Sequence, residues 1–180
     1  MSFSTFVSKL GAPALAEVAQ HWAEARGSKP MPAWRDIDPT AIAPHLPIVW
    51  AWRYDSALGT FIGRLAGDRI VSMLGVNSHG KQLEDCFPAE VSPLVLARYR
   101  IVIDRPSFMH GSGPVYLRIG KHGTGERIAM PLAQDGVTPD GILGATVYRL
   151  DVPVSQAGPG EVDYRKEQLD YFSLGPDPES

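Results

Sequence analysis

Residues 75–82 match most of the spacing of a phosphate-binding loop, with a glycine at each end of a six-residue stretch and a lysine after it. In such loops backbone N–H groups surround the phosphates, the lysine reaches their outer oxygens, and a following Ser or Thr hydroxyl holds Mg²⁺. Here Gln82 replaces that hydroxyl, and Glu84 and Asp85 follow at once, where their charge repels phosphate. The sequence therefore predicts no nucleotide site.

Two further residues are candidate nucleophiles, Cys86 and the serine between glycines in residues 110–113. Cys86 lies next to Asp85, and a neighbouring negative charge raises the pKa of a thiol, so a buried hydrophobic role is expected. The serine lacks the outer spacing of a nucleophile elbow, and a tight turn before a strand is predicted there. No paired carboxylates stand out. We therefore expect a protein that is not an enzyme.

Metal ligands are not favoured either. The five histidines are His21, His45, His79, His110 and His122. No two of them are spaced by three or four residues, and neither C-x-x-C nor H-E-x-x-H occurs. Asp36 and Asp38 form a D-x-D, but Asp38 before Pro39 is typical of a helix N-cap followed by proline in the first turn. A short helix is predicted to start there and to end before Pro47.

Residues 13–26 show the clearest element, an amphipathic helix with proline in its first turn and Gly27 just past its end. Its apolar stripe contains Leu15, Val18 and Trp22, and a protein must cover such a stripe. Two covers are available, the outer face of the chain's own sheet or a second copy. We favour a two-fold homodimer with these three residues in the interface.

In the rest of the chain, apolar residues recur with the spacing of a strand in some segments and of a helix in others. Strands are predicted at 48–53, 60–66, 115–119, 128–132 and 142–152, and helices at 67–74, 81–87 and 93–104. Two strands, a helical insert and three strands indicate an α+β fold with an antiparallel sheet. In the acidic tail, Val162, Leu169 and Phe172 could line one helical face, and the last six residues are expected to be disordered.

Composition narrows the class of partner. The chain has 180 residues, a formal charge of −3 and one cysteine. A net negative chain is a poor ligand for nucleic acid, one cysteine forms no internal disulfide, and no apolar run is long enough to cross a bilayer. We expect a cytoplasmic protein that binds neither nucleic acid nor membrane. The expected divisions are a helix and connector (1–46), a core domain (47–152) and an acidic, partly disordered tail (153–180).

One stretch of the core resembles a PAS domain. Its segments are 61–70, Leu74 with Gly75, 80–83 and 85–88. Together they are similar to the second strand, short helix, "LG", "G(R/K)xL" and acidic-aromatic helix of that family. The segment 31–47, with Met31, Pro32, Ile42 and the run Asp-Ile-Asp-Pro, is similar to a family of stand-alone bacterial PAS proteins.

The resemblance implies a five-stranded antiparallel sheet with helices on one face around a small pocket, here preceded by the N-terminal helix. It implies a sensory or regulatory module without an output domain, which binds a small molecule or a protein partner and signals by docking or dimerisation. The alternative is a small enzyme that uses the same pocket. In flavin-binding relatives the reactive cysteine stands at the position of Leu83, and haem-binding ones carry a histidine on the long helix. Neither residue is present, so neither flavin nor haem is expected, and an unknown small molecule is the possible ligand.

The predicted pocket lies between the sheet and the long helix. Its candidate lining residues are Leu65, Ile70, Met73, Leu96, Tyr99, Arg100, Met130 and Leu132. Arg100 is the helix cation that would meet an anionic ligand. Phe87 is expected in the core and not in contact with a ligand. The alternative is that all these side chains fill a solid core.

Overall fold

The computed structural model describes residues 3–114, 123–150 and 166–174. Four α-helices and six strands lie in these ranges. The helices are α1 (Phe3–Ser8), α2 (Pro13–Arg26), α3 (Asp68–Leu74) and α4 (Ser92–Asp104). The strands are β1 (Val49–Asp55), β2 (Thr60–Ala66), β3 (Ser107–Pro114), β4 (Gly123–Leu132), β5 (Gly141–Leu150) and β6 (Gln168–Ser173).

The strands form one antiparallel sheet in the order β2-β1-β5-β4-β3-β6. This confirms the predicted α+β class and adds a sixth strand. Strand β6 comes from the tail and pairs with β3, with Phe172 opposite Phe108. The helical face expected for Leu169 and Phe172 is therefore wrong. Alternation along a strand sends these two side chains to opposite faces of the sheet.

Both faces of the sheet are buried, and β1 shows how. Val49 and Ala51 point to one face, which we call the N-terminal face because α1 and α2 cover it. Trp50 and Trp52 point to the other, which we call the cup face because α3 and α4 cover it. Successive side chains of a strand alternate between faces, so one short strand supplies residues to two separate cores.

Helix α2 has the predicted bounds, and its stripe is covered by the chain itself. Leu15, Val18 and Trp22 are fully buried on the N-terminal face. The Trp22 ring meets Phe108 edge-on at 4.9 Å between centroids, and its Nε1–H donates to the Pro131 carbonyl oxygen at 2.9 Å. The expectation that these three residues contact a second copy is corrected, because their side chains are already enclosed.

Helix α1 was not predicted from the sequence. It is only six residues long, too short to be stable through backbone hydrogen bonds alone. Its Phe6 stacks on Phe108 at 4.8 Å and contacts Phe172 at 5.6 Å. Packing on β3 and β6 therefore accounts for a helix that has little local signal.

Several local expectations were wrong where the backbone finds other partners. No α-helix begins at Pro39: the Asp38 carboxylate accepts from the Thr40 N–H at 2.9 Å in a turn, and a 3-10 helix follows at Ala43–Ile48. The helix expected at 81–87 is reduced to a 3-10 turn at Leu83–Asp85. Its first residues are bound to β2 instead, through Gly63 N–H to the Lys81 carbonyl at 2.9 Å.

Residues 110–113, expected to form a turn, lie inside β3. Their backbone is paired with β4 on one side, and residues 110–112 are also paired with β6 on the other. The strand predicted at 115–119 lies outside the described residues. Within the described ranges, no helix is long and apolar enough to span a membrane.

The segment that leads into α2 is held by Glu126 of β4. Its carboxylate accepts hydrogen bonds from the Gly11 and Ala12 N–H groups, both at 2.8 Å, and lies 2.8 Å from His110 Nε2. The Glu126 side chain is only 16% exposed. Two backbone donors at the start of the helix are thus satisfied by a single buried carboxylate.

We expect Glu126→Gln to lower the free energy of unfolding by about 1–3 kcal/mol, because the amide places an N–H₂ group against backbone donors. This corresponds to a fall of about 2–4 °C in Tm for each kcal/mol in a chain of this size, measured by a thermal melt. Glu24→Gln on exposed α2 surface is the matched control and should change little. Equal melting of the two variants would contradict the role given to Glu126.

Candidate functional site

A cavity of about 40 Å³ lies on the cup face, between β1 and helices α3 and α4. That space holds roughly three water molecules at about 10–15 Å³ for each. Most of its walls are apolar. The apolar and aromatic lining residues are Trp50, Trp52, Ile70, Met73, Leu74, Phe87, Val91, Leu94, Val95, Tyr99 and Pro114.

The indole of Trp50 forms a fixed wall of this cavity. It stacks on Tyr99 at 5.2 Å between centroids, and its Nε1–H donates to Thr146 Oγ1 at 2.9 Å. On β5 the residue opposite is Gly144, where a Cβ would lie 2.2 Å from the indole carbon Cζ2. Only glycine lets the ring lie this close to the neighbouring strand, so the wall is set by sequence as well as packing.

Charged residues converge at one end of the cavity. Arg98 of α4 and Arg127 of β4 both donate to the same oxygen, Oε2 of Glu167, at 2.5 and 2.6 Å. All three side chains are at least 87% buried. The Arg127 Nε–H is buried and has no hydrogen-bond acceptor among the described residues.

On each of the two guanidinium groups, burial and the shared carboxylate shift the pKa in opposite directions. Burial lowers the pKa of Arg98, against the attraction of Glu167. Burial also acts to lower the pKa of Arg127, but the charge and hydrogen bond of Glu167, together with Tyr99 and Tyr171, outweigh burial and the pKa is raised. Arginine titrates so far above neutral that both groups remain cations. Burial raises the pKa of Tyr99 to about 12, so its phenol keeps the proton.

Gly111 of β3 provides the room in which Glu167 sits. A Cβ at this position would lie 2.5 Å from Glu167 Oε1, 3.0 Å from Leu169 Cδ2 and 3.2 Å from Arg127 Cγ. The first distance is closer than van der Waals contact allows, and the other two are tighter than ordinary contacts. The absence of a side chain on β3 is therefore a condition for the charged cluster.

Three of the eight predicted pocket residues, Ile70, Met73 and Tyr99, line the cavity. Leu96 packs against the core of the cup face without lining the cavity. Leu65, Met130 and Leu132 belong to the N-terminal face. Their placement is corrected because the alternating pattern shows which residues share a face but not which face meets the long helix.

Arg100 also lies away from the cavity. It pairs with Asp104 at 2.9 Å and donates to the Tyr54 hydroxyl. The helix cation at the cavity is instead Arg98, two residues earlier and so roughly 200° around the helix axis. Arg98, Arg127 and Glu167 were not among the predicted site residues. Phe87, expected only in the core, is half-buried and lines the cavity.

None of the described lining residues of this cavity is histidine or cysteine. The pair His110–Glu126 lies on the N-terminal face, and His45 pairs with Glu17 at 2.7 Å on α2. Burial, together with the charge of Asp85, raises the pKa of Cys86 to about 11. In the described parts of the chain, no group of three or more acidic, histidine or cysteine side chains could hold a metal ion.

A family model described as a PAS domain matches residues 10–147, which is most of the chain. The chain therefore belongs to the PAS domain family. No curated protein and no solved structure matches it. PAS domains are in general sensory or regulatory modules, and they commonly mediate protein interactions. Glu167 and β6 lie beyond the matched range.

We expect Gly111→Ala to lower the free energy of unfolding by about 1–3 kcal/mol, because its methyl group displaces Glu167 from the two arginines. Ser112→Ala, on the same strand, is the control. Thermal melts of both variants test this. If Gly111→Ala has the same Tm as Ser112→Ala, the close approach of Glu167 to β3 is not required for stability.

Cys86 should react slowly with iodoacetamide in the folded protein. With a pKa of about 11, roughly one thiol in a thousand is thiolate at about pH 8, and only the thiolate attacks. The same protein in urea should react roughly a hundredfold faster, since the ordinary pKa is about 9. Mass spectrometry of the alkylated chain measures both rates, and similar rates would contradict the burial of this thiol.

Proposed function

We propose that this protein is a sensory PAS module whose cup binds a small molecule and whose signal passes by contact with another protein in the cytoplasm. The observation that carries this proposal is the cavity beside Trp50, which has apolar walls and a charged end. Ligand sites in proteins are concave, mostly apolar and equipped with a few convergent polar groups.

The cavity also weighs against a solid core. Protein interiors contain few voids larger than a water molecule, and an empty cavity destabilises the fold in proportion to its volume. A space for roughly three waters with two arginines at its rim is therefore better explained by an occupant. The N-terminal face offers the contrast: there the aromatic rings of Phe6, Trp22, Phe108 and Phe172 contact one another directly.

The proposed ligand is neither flavin nor haem. Leu83, at the position of the reactive cysteine in flavin-binding relatives, is fully buried, and Cys86 is a thiol of raised pKa. Helix α4 contains no histidine to bind haem iron. The purified protein should consequently be colourless in visible light.

The signalling contact is proposed to be a homodimer or a complex with a different signalling protein. Because Leu15, Val18 and Trp22 are buried within one chain, any dimer must use other surfaces. Sedimentation velocity with and without the bound molecule tests for a second copy. The alternative function, a small enzyme, has no specific support in the described lining of the cavity, which lacks histidine and cysteine.

The binding test compares two substitutions on helix α4. Val95 is buried and lines the cavity, so Val95→Phe places a ring in the space proposed for the ligand. Ile101 is 40% exposed on the same helix, and Ile101→Phe makes the same kind of change away from the cavity. Each protein, purified from its source cell, is examined by native mass spectrometry for a bound molecule and by absorbance for colour.

Wild type and Ile101→Phe are expected to carry the same small molecule, and Val95→Phe to lose it while keeping a cooperative melt. If Val95→Phe retains the molecule at equal stoichiometry, the cup is not its site. A wild type that carries no molecule and whose Tm no added compound raises would contradict the proposal. Chemical conversion of the bound molecule would favour the enzyme.

A further inference from the structure

The charged end of the cavity contains an unsatisfied donor on a cation. A guanidinium group has five N–H donors, and buried ones almost always find an acceptor. Arg127 Nη2 donates to Glu167, whereas its Nε–H is buried without an acceptor among the described residues. Because Arg127 lines the cavity, a ligand there can bring the missing acceptor.

Glu167 is already engaged and does not reach this donor. Its Oε2 accepts from both Arg98 and Arg127, and its Oε1 lies beside Gly111 on β3. A carboxylate pairs with a guanidinium group through two parallel N–H bonds, and Nε–H is one of the positions used in that pairing. The unsatisfied atom of Arg127 is thus suited to a second carboxylate.

The remainder of the cavity limits what that carboxylate can be attached to. Trp50, Met73 and Val95 offer apolar walls, and the space is only about 40 Å³. These walls accept a short hydrocarbon body and oppose a second charge, which would be buried without a partner. The Thr146 hydroxyl accepts from Trp50 and retains its own proton to donate to a ligand oxygen.

We propose that the cup binds a short-chain monocarboxylate, with its carboxylate at Arg127 and its hydrocarbon part against Trp50. This rests on the proposed function, in which the cup is a ligand site, and adds the chemical class of the ligand. The anionic group is recognised by Arg127, and the size of the cavity selects against long chains.

The test uses butyrate and its uncharged counterpart butyramide, titrated by calorimetry at constant ionic strength. The proteins are wild type, Arg127→Gln, Glu167→Gln and the control Arg100→Gln. The control removes an equal charge from the exposed arginine that pairs with Asp104. Acids from propionate to hexanoate then measure the limit on chain length.

Wild type and Arg100→Gln are expected to bind butyrate at least about tenfold more tightly than butyramide, as a charge-assisted hydrogen bond provides. Arg127→Gln should lose this preference and still bind butyramide. Glu167→Gln should bind butyrate more tightly than wild type, because the ligand then no longer competes with a neighbouring negative charge. A poorly folded variant would lose affinity, so this gain does not arise from damage.

Equal binding of butyrate and butyramide to wild type, or a preference unchanged in Arg127→Gln, overturns the carboxylate class and leaves the cup as a ligand site. The same conclusion follows if wild type binds none of the acids but carries a copurified molecule that Val95→Phe loses. If Arg127→Gln does not fold, weaker butyrate binding by a Glu167→Gln protein that still melts cooperatively is decisive against the proposal. If no acid binds and no molecule copurifies, both proposals fail together.

Discussion

The buried carboxylate of Glu167 is the contact on which the cup depends. It accepts from Arg98 of α4 and from Arg127 of β4, and it stands directly before β6. A helix, the centre of the sheet and the last strand thus meet at one oxygen. Removing one partner of a buried ion pair leaves an uncompensated charge, which is far more costly than losing a surface pair. The end of the cavity is therefore positioned by an electrostatic contact that the chain cannot easily give up.

The two faces of the sheet differ in how completely their side chains fill the space beneath the helices. On the N-terminal face, aromatic rings from α1, α2, β3 and β6 contact one another and close the core. On the cup face, Trp50 lies against Gly144 and Tyr99, and the space beside it is incompletely filled. The close-packed face contributes stability, and the incompletely packed face leaves room for the proposed ligand. This division explains how a small domain keeps a cavity without losing its fold.

Neighbouring residues of β4 serve these two faces. Glu126 points to the N-terminal face and holds the backbone that enters α2, whereas Arg127 points to the cup and holds Glu167. Adjacent side chains on a strand lie on opposite sides, so one peptide unit carries both charged anchors. The N-terminal helix and the charged end of the cavity are thus attached to the same short stretch of backbone.

The sequence by itself determined the features that depend on local pattern. Helix α2 and strand β2 have the predicted bounds, because period, proline and glycine mark them. The shared face of Met130 and Leu132 was also correct, but its direction was not. Only the tertiary structure decided which face meets α4, that Arg98 and not Arg100 enters the cup, and that the tail supplies β6. These outcomes depend on partners distant in the chain, such as Arg98 and Glu167, which are 69 residues apart, and no local period records such pairing.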